Sequence, residues 1–429
     1  MNVLFASSEA YPFFTSGKLG DMTGSLARAL KRLSIDIRVI LPLYKDMKSE
    51  WRKRLRYITN FTVPVGWRNQ YCGLFELLIN GVYYYFLDNE YYFKRSGFYG
   101  FYDDGERFAF FSRAILETIR HIDFTPQIIQ CNDWQTALTP VFLNLNYREM
   151  QKFSHIKTIF TIHSIQYQGK YSPEIAEGVL GIEDENFNLV EYDGLVNYMK
   201  GAIESADMIS TVSPTYAREI LEPWFGCGMD SFLREREYKL HGILSGIDTD
   251  EYNPMKDMII ASQYDASSFK EGKNKCKGQL QRIFDLEQIN VPLIGMVTHF
   301  VSHKGHDLLI SAADDIINKG MQLVILGYGD SVYEQFFKEL TARHRGKCSL
   351  RIGFLPDIAR NVYAGSDMFL MPSRFESCGL AQMLALRYGS IPIVRATGGL
   401  RDTVKDGENG FVFSGYNADE MRDACFRAY

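Results

Sequence analysis

No run in this 429-residue sequence approaches the ~18 apolar residues that a membrane-crossing helix needs. Basic excess is absent too: the formal net charge is -5, which argues against the positive footprint of a nucleic-acid partner. The opening MNVLFASSEAYPFF lacks the basic segment and cleavage site of a secretory leader and reads as a first strand and loop. The seven cysteines, at 72, 131, 227, 276, 348, 378 and 425, are odd in number and scattered, with no Cys-x-x-Cys pair. Neither a zinc site nor a disulfide framework is expected, and a cytoplasmic, reducing setting fits. Low-complexity stretches and short-period repeats are also missing. What remains is ordinary globular composition, 46% hydrophobic and 23% charged, over a length suited to two or three domains. The 26 Tyr and 30 Phe are many; most belong in cores, but carbohydrate sites also use aromatic platforms.

Apolar runs of strand length alternate with helical stretches. Residues 35–42, 82–87, 127–133, 156–163, 208–213, 292–300, 322–329, 367–373 and 391–396 read as strands, and 105–122 and 305–320 as helices. Near-continuous apolar strands separated by helices imply parallel sheets covered on both faces. The pattern runs twice, and a polar stretch, ASQYDASSFKEGKNKCKG, leads into a second series that starts near Val291. The expectation is an α/β protein of two Rossmann-like, doubly wound parallel-sheet domains, 1–246 and 247–429, facing a central cleft. The second is expected to be shortened, since Tyr429 falls within what reads as a helix.

Four stretches carry candidate chemistry. In FFTSGKLGDMTGSL, Gly17, Gly20 and Gly24 lie between a strand and a helix, in neither the dinucleotide nor the P-loop spacing. Free N–H groups there could bind an anion, and Asp21 could cap the helix or hold a ligand hydroxyl. In DMFLMPSRFESCGLAQ a strand ends and a helix is expected to open near Ser377–Leu380. Glu376 would then stand at the sheet edge, with the amides of Cys378, Gly379 and Leu380 turned to a ligand, an arrangement suited to a diphosphate and a sugar. In THFVSHKGHDLL, Lys304 can put a point charge on a phosphate; the spacing of His299, His303 and His306 is not that of helical metal ligands, and no metal is expected. In TIHSIQYQGKY, His163 ends an apolar strand, as Asp133 does in CNDWQTALTPV.

Together with FASSEAYPF, VSPTYAREI, HGILSGIDTDEYNP, AGSDMFLMPSRFESCGLAQMLALRYGSIPIVRATGGLRDTV and GENGFVF, these stretches resemble the bacterial glycogen synthases and plant starch synthases. Those are retaining glycosyltransferases of the two-Rossmann, GT-B type. The resemblance runs nearly end to end. It implies glucosyl transfer from ADP-glucose to the non-reducing end of an α-1,4-glucan, a glycogen or starch primer, with no cofactor and no metal. It also implies that His163 lies beside the anomeric carbon, that Lys304 binds phosphate and that Glu376 binds the sugar. A binding paralogue, impaired in catalysis, is the alternative.

The sequence departs from the family pattern around the donor. The first-loop Lys-x-Gly-Gly-Leu reads Thr15, Ser16, Gly17, Lys18, Leu19, so a lysine is lost at one position and gained three residues on. The arginine of Ser-Arg-Leu is His299, the asparagine of the GILNG motif is Ser245, and the threonine of the Gly-Thr-Gly turn is Tyr328. Ser377 replaces the proline after Glu376, and Ala396 a charged residue before TGGL. Loss of two phosphate cations predicts a severe loss of turnover.

Overall fold

The structure is a computed structural model that describes all residues, 1–429. The chain divides into two compact units: Met1–Val212 with Ala217–Ile243, and Ser213–Tyr216 with Leu244–Tyr429.

The first unit begins with β1 (Asn2–Ala6), α1 (Lys18–Arg32), β2 (Asp36–Pro42), α2 (Ser49–Arg52), β3 (Arg56–Val65), β4 (Arg68–Ile79) and β5 (Val82–Asp88). It continues through α3 (Glu90–Phe93), α4 (Asp104–His121), β6 (Ile128–Asn132), α5 (Leu138–Phe142) and β7 (Lys157–Ile162). Three short strands, β8 (Lys170–Tyr171), β9 (Glu191–Tyr192) and β10 (Leu195–Asn197), form a small antiparallel sheet of their own. Then come α6 (Tyr198–Ser205), β11 (Met208–Thr211), α7 (Pro214–Glu219), α8 (Asp230–Arg234) and β12 (Leu240–Gly242). The main sheet has nine strands in the order β12-β11-β7-β6-β1-β2-β5-β4-β3. It is parallel from β12 to β5, and β4 and β3 add an antiparallel hairpin at one edge. The sequence reading did not anticipate this hairpin: β3 alternates exposed and buried residues only in its second half, and β4 breaks the alternation at Cys72–Leu74, where three residues in a row are buried. Pro64 is tolerated because β3 is the edge strand. Helix α4 is buried nearly all round, and its buried charges have partners: Arg107 donates to Asp104, and Glu117 accepts from the Tyr147 hydroxyl.

In the second unit α9 (Phe269–Ile283) precedes β13 (Leu293–Phe300), α10 (His306–Asn318), β14 (Gln322–Gly329), α11 (Ser331–Arg343), β15 (Cys348–Ile352) and α12 (Pro356–Gly365). After these come β16 (Met368–Met371), α13 (Ala381–Arg387), β17 (Ile391–Arg395), α14 (Gly398–Thr403), β18 (Phe411–Phe413) and α15 (Ala418–Ala428). Six parallel strands run in the order β15-β14-β13-β16-β17-β18. Buried clusters cover both faces, one around Met296, Ile325 and Phe337, the other around Leu280, Phe369 and Tyr388. Continuous apolar strands are what a sheet buried on both sides requires.

Each main sheet reverses its winding once: between β1 and β6 in the first unit, and between β13 and β16 in the second. Loops leaving the carboxyl ends of neighbouring strands diverge there and leave a crevice. The loop after β1 carries Thr15–Gly17 and leads into Lys18 at the start of α1, and the turn after β6 carries Asp133; the loop after β13 carries Lys304 and that after β16 carries Glu376.

Candidate active site

In the first unit the ends of β6 and β7 bring Asn132, Asp133 and His163 together. Parallel register sets Asn132 beside Thr161, so the next residues of both strands leave the sheet side by side. Asp133 adopts a left-handed φ of 55° and turns its carboxylate back, so that Oδ1 accepts the His163 N–H at 2.8 Å and the Ser164 N–H at 3.4 Å. Asn132 Nδ2 donates to the Ala6 carbonyl at 2.9 Å, which leaves its Oδ1 to accept from His163 Nε2 at 3.0 Å. That bond assigns the imidazole proton to Nε2. Burial, with the positive charge of Lys18 adding to it, holds His163 down at about 4, so the ring is neutral at pH 7. Burial also pushes Asp133 up to about 7, against the N–H donors of His163 and Ser164.

Lys18 is the first residue of α1 and is exposed. Its positive charge is felt at His163, where it adds to burial in holding the imidazole neutral. Gly17, not Asp21, occupies the cap position; Asp21 lies within the first turn. Gly17 has an extended backbone with nothing within 4 Å of where a Cβ would stand. Gly20 and Gly24 answer to packing instead: a Cβ on Gly24 would meet the Tyr11 carbonyl at 2.4 Å, and one on Gly20 the Phe14 carbonyl at 2.9 Å. Thr15 Oγ1 donates to the Gly17 carbonyl at 3.2 Å. Glu9, which the sequence reading did not single out, fixes this loop. It accepts from the Ser16 N–H, from Ser16 Oγ at 2.7 Å and from the Tyr99 hydroxyl at 2.6 Å. A lone glutamate in SSEA carries no spacing signal that could have flagged it. A cavity of about 370 Å³ is lined by Trp134, the residue after Asp133, and by Gln166–Tyr171 and Cys227.

In the second unit Lys304 Nζ donates to Glu376 Oε2 at 2.6 Å, and the Glu376 side chain is 1% exposed. Ser373 Oγ donates to the same oxygen at 3.3 Å. Close backbone approaches hold the two loops together. Gly305, at φ 75°, has the Pro372 carbonyl 1.9 Å from a would-be Cβ, and Gly398, at φ 44°, has the Glu376 carbonyl at 1.7 Å. The glycines of HKG and TGGL are therefore spacers beneath the Glu376 loop. The stretch Ser377–Leu380, expected to open a helix, is a loop, and α13 starts at Ala381 with Leu380 as its cap. Gly379 takes a left-handed φ of 73°, while Gln382 Nε2 donates to the Cys378 and Gly379 carbonyls at 3.1 and 2.8 Å. Cys378 is buried, with Sγ 4.0 Å from the Ser245 carbonyl.

His299 and Tyr328 are register partners on β13 and β14, their rings edge to face at 4.7 Å. Two of the departures from the family pattern are thus one change of a neighbouring pair. The three histidines of this loop do not converge. His306 is buried and its Nε2 donates to the His299 carbonyl at 2.9 Å, while His303 offers its carbonyl to the Arg374 N–H at 2.8 Å. No group of three or more His, Cys, Asp or Glu side chains gathers to hold a metal ion.

Two Rossmann-like parallel sheets, each with polar groups at its switch point, define a glycosyltransferase of the GT-B class. The family described as starch synthase catalytic domain matches residues 2–235, and glycosyl transferases group 1 matches 282–427. A glycogen synthase of Clostridium botulinum (strain Alaska E43 / Type E3) is 50% identical over 98% of this chain and 90% of its own, and one of Geobacillus stearothermophilus 48% over 100% and 90%. The solved catalytic domain of starch synthase IV from Arabidopsis thaliana, bound to ADP and acarbose, superposes with a TM-score of 0.91 at 32% identity, covering 100% of this chain and 91% of that one. The chain belongs to the glycogen and starch synthase family and is a hexosyltransferase.

Proposed function

We propose that this chain transfers glucose from ADP-glucose to the non-reducing end of an α-1,4-glucan, with retention of configuration. The observation that carries this reading is the Lys304 ammonium on buried Glu376, at the switch point of the second sheet, in a chain half identical to a glycogen synthase. The ADP and acarbose bound to the Arabidopsis relative support an adenine nucleotide donor and a glucan acceptor.

Departure of the nucleotide leaves negative charge on a diphosphate and positive charge on the sugar ring. Lys304 and Lys18 are the cations for the first, acting as preorganised charges that need no reorganisation at the moment of bond breaking. Glu376, held by Lys304 and Ser373, accepts from sugar hydroxyls. His163 stays neutral beside the anomeric carbon, where an imidazolium would oppose the developing positive charge. Asn132 and Asp133 are positioning residues that fix its tautomer and backbone. Phosphate charge is taken by these side chains, with no cofactor in the scheme. No helix is long and apolar enough to cross a membrane, and the seven free cysteines suit a reducing cytoplasm.

The test is ADP release from ADP-glucose with glycogen as acceptor, with the new linkage read by NMR. Release coupled to glycogen growth with α-linkages is the expected result. No release at any pH from about 5.5 to 8, the span over which histidine and carboxylate charges settle, overturns the reading.

A further inference from the structure

His306, the first residue of α10, is a fully buried titratable group of the second unit that takes no part in the transfer steps. Its Nε2–H donates to the His299 carbonyl at 2.9 Å, an oxygen that also accepts the Val301 N–H at 3.0 Å. Its Nδ1 is buried without a hydrogen-bond partner. Three rings box the imidazole edge to face: Phe300 at 5.5 Å, Tyr333 at 5.0 Å and Phe337 at 5.8 Å.

His299 and His306 bracket the loop that carries Lys304, residues 301–305 between β13 and α10. Within it the Lys304 N–H donates to the Val301 carbonyl at 3.1 Å. On the Glu376 side the His303 carbonyl accepts from the Arg374 N–H at 2.8 Å, and Gly305 lies against the Pro372 carbonyl. The imidazole ties the beginning of this loop to its end.

We infer that His306 is a positioning residue: as a neutral staple between the end of β13 and the head of α10, it holds the Lys304 ammonium where the donor diphosphate is received. The inference rests on the role proposed above for Lys304. An apolar side chain would fill the aromatic box but leave the His299 carbonyl short of a donor. A charged imidazole would also be out of place. Its Nδ1–H would be buried without an acceptor, and its charge would stand at the positive end of the α10 dipole. Burial, with Lys304 on the same side, outweighs the pull of the His299 carbonyl, of Asp307 on α10 and of Asp330 at the head of α11, so His306 is held below the ordinary histidine value. The unfolded chain takes this proton near pH ~6.5, whereas the folded loop resists it. The staple is therefore at full strength above about pH 7 and weakens as pH falls through about 6.5.

His306→Leu and His306→Gln in the full chain test this. Glutamine keeps an N–H for the His299 carbonyl and has no proton to gain, whereas leucine fills the space and donates nothing. Calorimetry with ADP, initial rates with ADP-glucose and glycogen, and hydrogen exchange over residues 301–305 are compared at about pH 7.5 and about pH 5.5, on either side of the histidine range. At the higher pH the leucine variant binds ADP about five- to tenfold more weakly, the worth of one buried hydrogen bond. Its KM for ADP-glucose rises in step, its KM for glycogen stays within about twofold, and its loop amides exchange faster. The glutamine variant matches wild type within about twofold there, and at the lower pH binds ADP about threefold more tightly than wild type, having no charge to take up. Equal ADP affinities in all three proteins at the higher pH, or no ADP binding by any, overturn the proposal. So does a glutamine variant no better than the leucine one, and so does faster loop exchange with unchanged ADP affinity. Where the leucine variant does not fold, a ratio of glutamine to wild-type affinity that is the same at both pH values overturns it. The expected ADP pattern in a chain that transfers no glucose upholds the staple and removes the transfer reading, while transfer with equal KM for ADP-glucose throughout removes the staple alone.

Discussion

Lys304 does two things at once: it neutralises a buried carboxylate and brings a cation against the Glu376 loop. Lys304→Ala removes both, and kcat/KM for ADP-glucose should fall ~10²–10³-fold, as for the loss of one preorganised donor; a change within about threefold in initial-rate kinetics would show that the pair is structural only. Lys18 tests the displaced cation. Lys18→Gly should raise KM for ADP-glucose about tenfold, the worth of one charge-assisted contact, and adding Thr15→Lys should recover most of it. Failure of the second change to rescue the first means that the cation must start from position 18. Asp133 gives a pH signature of opposite sense to an ordinary ion-paired carboxylate. Its raised value, about 7, comes from burial, with Glu9 adding to it, so the native state keeps a proton that the unfolded chain releases near pH 4. The charging cost is absent below about pH 4, grows as pH climbs and is complete above about 7. Asp133→Asn, whose amide oxygen still accepts from the His163 N–H, should therefore raise the melting temperature at pH 8 more than at pH 5. Equal shifts at both pH values would show that the proton is not the cause.

Glycines separate the elements that need a missing side chain from those that merely lack one. A Cβ on Gly398 would stand 1.7 Å from a backbone carbonyl, whereas one on Gly17 would meet nothing. Gly398→Ala should cost more than ~2 kcal/mol in urea unfolding, since neither φ nor space can be conceded, while Gly17→Ala should stay within ~0.5 kcal/mol. Comparable costs at the two positions would remove the argument that TGGL underpins the Glu376 loop. The same contrast marks what the sequence could reveal. Parallel strands were legible because both faces are buried and their apolar runs are unbroken, as in QLVILGYG. The β3–β4 hairpin was not, because its burial is irregular and exposed residues interrupt it, so it shows neither an unbroken apolar run nor a clean alternation. Strand ends placed Asp133 and Lys304 at the switch points and His163 at the end of the neighbouring β7, but the effect of the Lys18 charge on His163 is tertiary and has no local spacing. Ser377–Leu380 misled because its ordering comes from Gln382 and from Gly398, neither of which is part of the stretch itself.

At the scale of the whole molecule, the chain does not pass from one unit to the other once. It leaves the first unit after Val212, returns at Ala217 and leaves again after Ile243, so Ser213–Tyr216 is an island of the second unit in the sequence of the first. Asp402, in the Arg-Asp that follows TGGL, is what holds that island. It accepts from Ser213 Oγ at 2.5 Å, the Thr215 N–H at 3.0 Å and Thr215 Oγ1 at 2.6 Å. A carboxylate receiving three donors is worth more than a pair of neutral contacts, and the backbone donor survives side-chain truncation at 215. Asp402→Ala should therefore destabilise by ~2–3 kcal/mol and Thr215→Val by ~1 kcal/mol, with a coupling of ~1 kcal/mol between them in a double-mutant cycle. Chemical unfolding of the four full-length proteins measures all three quantities. Additive effects would mean that the island is kept in place by its flanking elements, and that Asp402 serves some other part of the second unit.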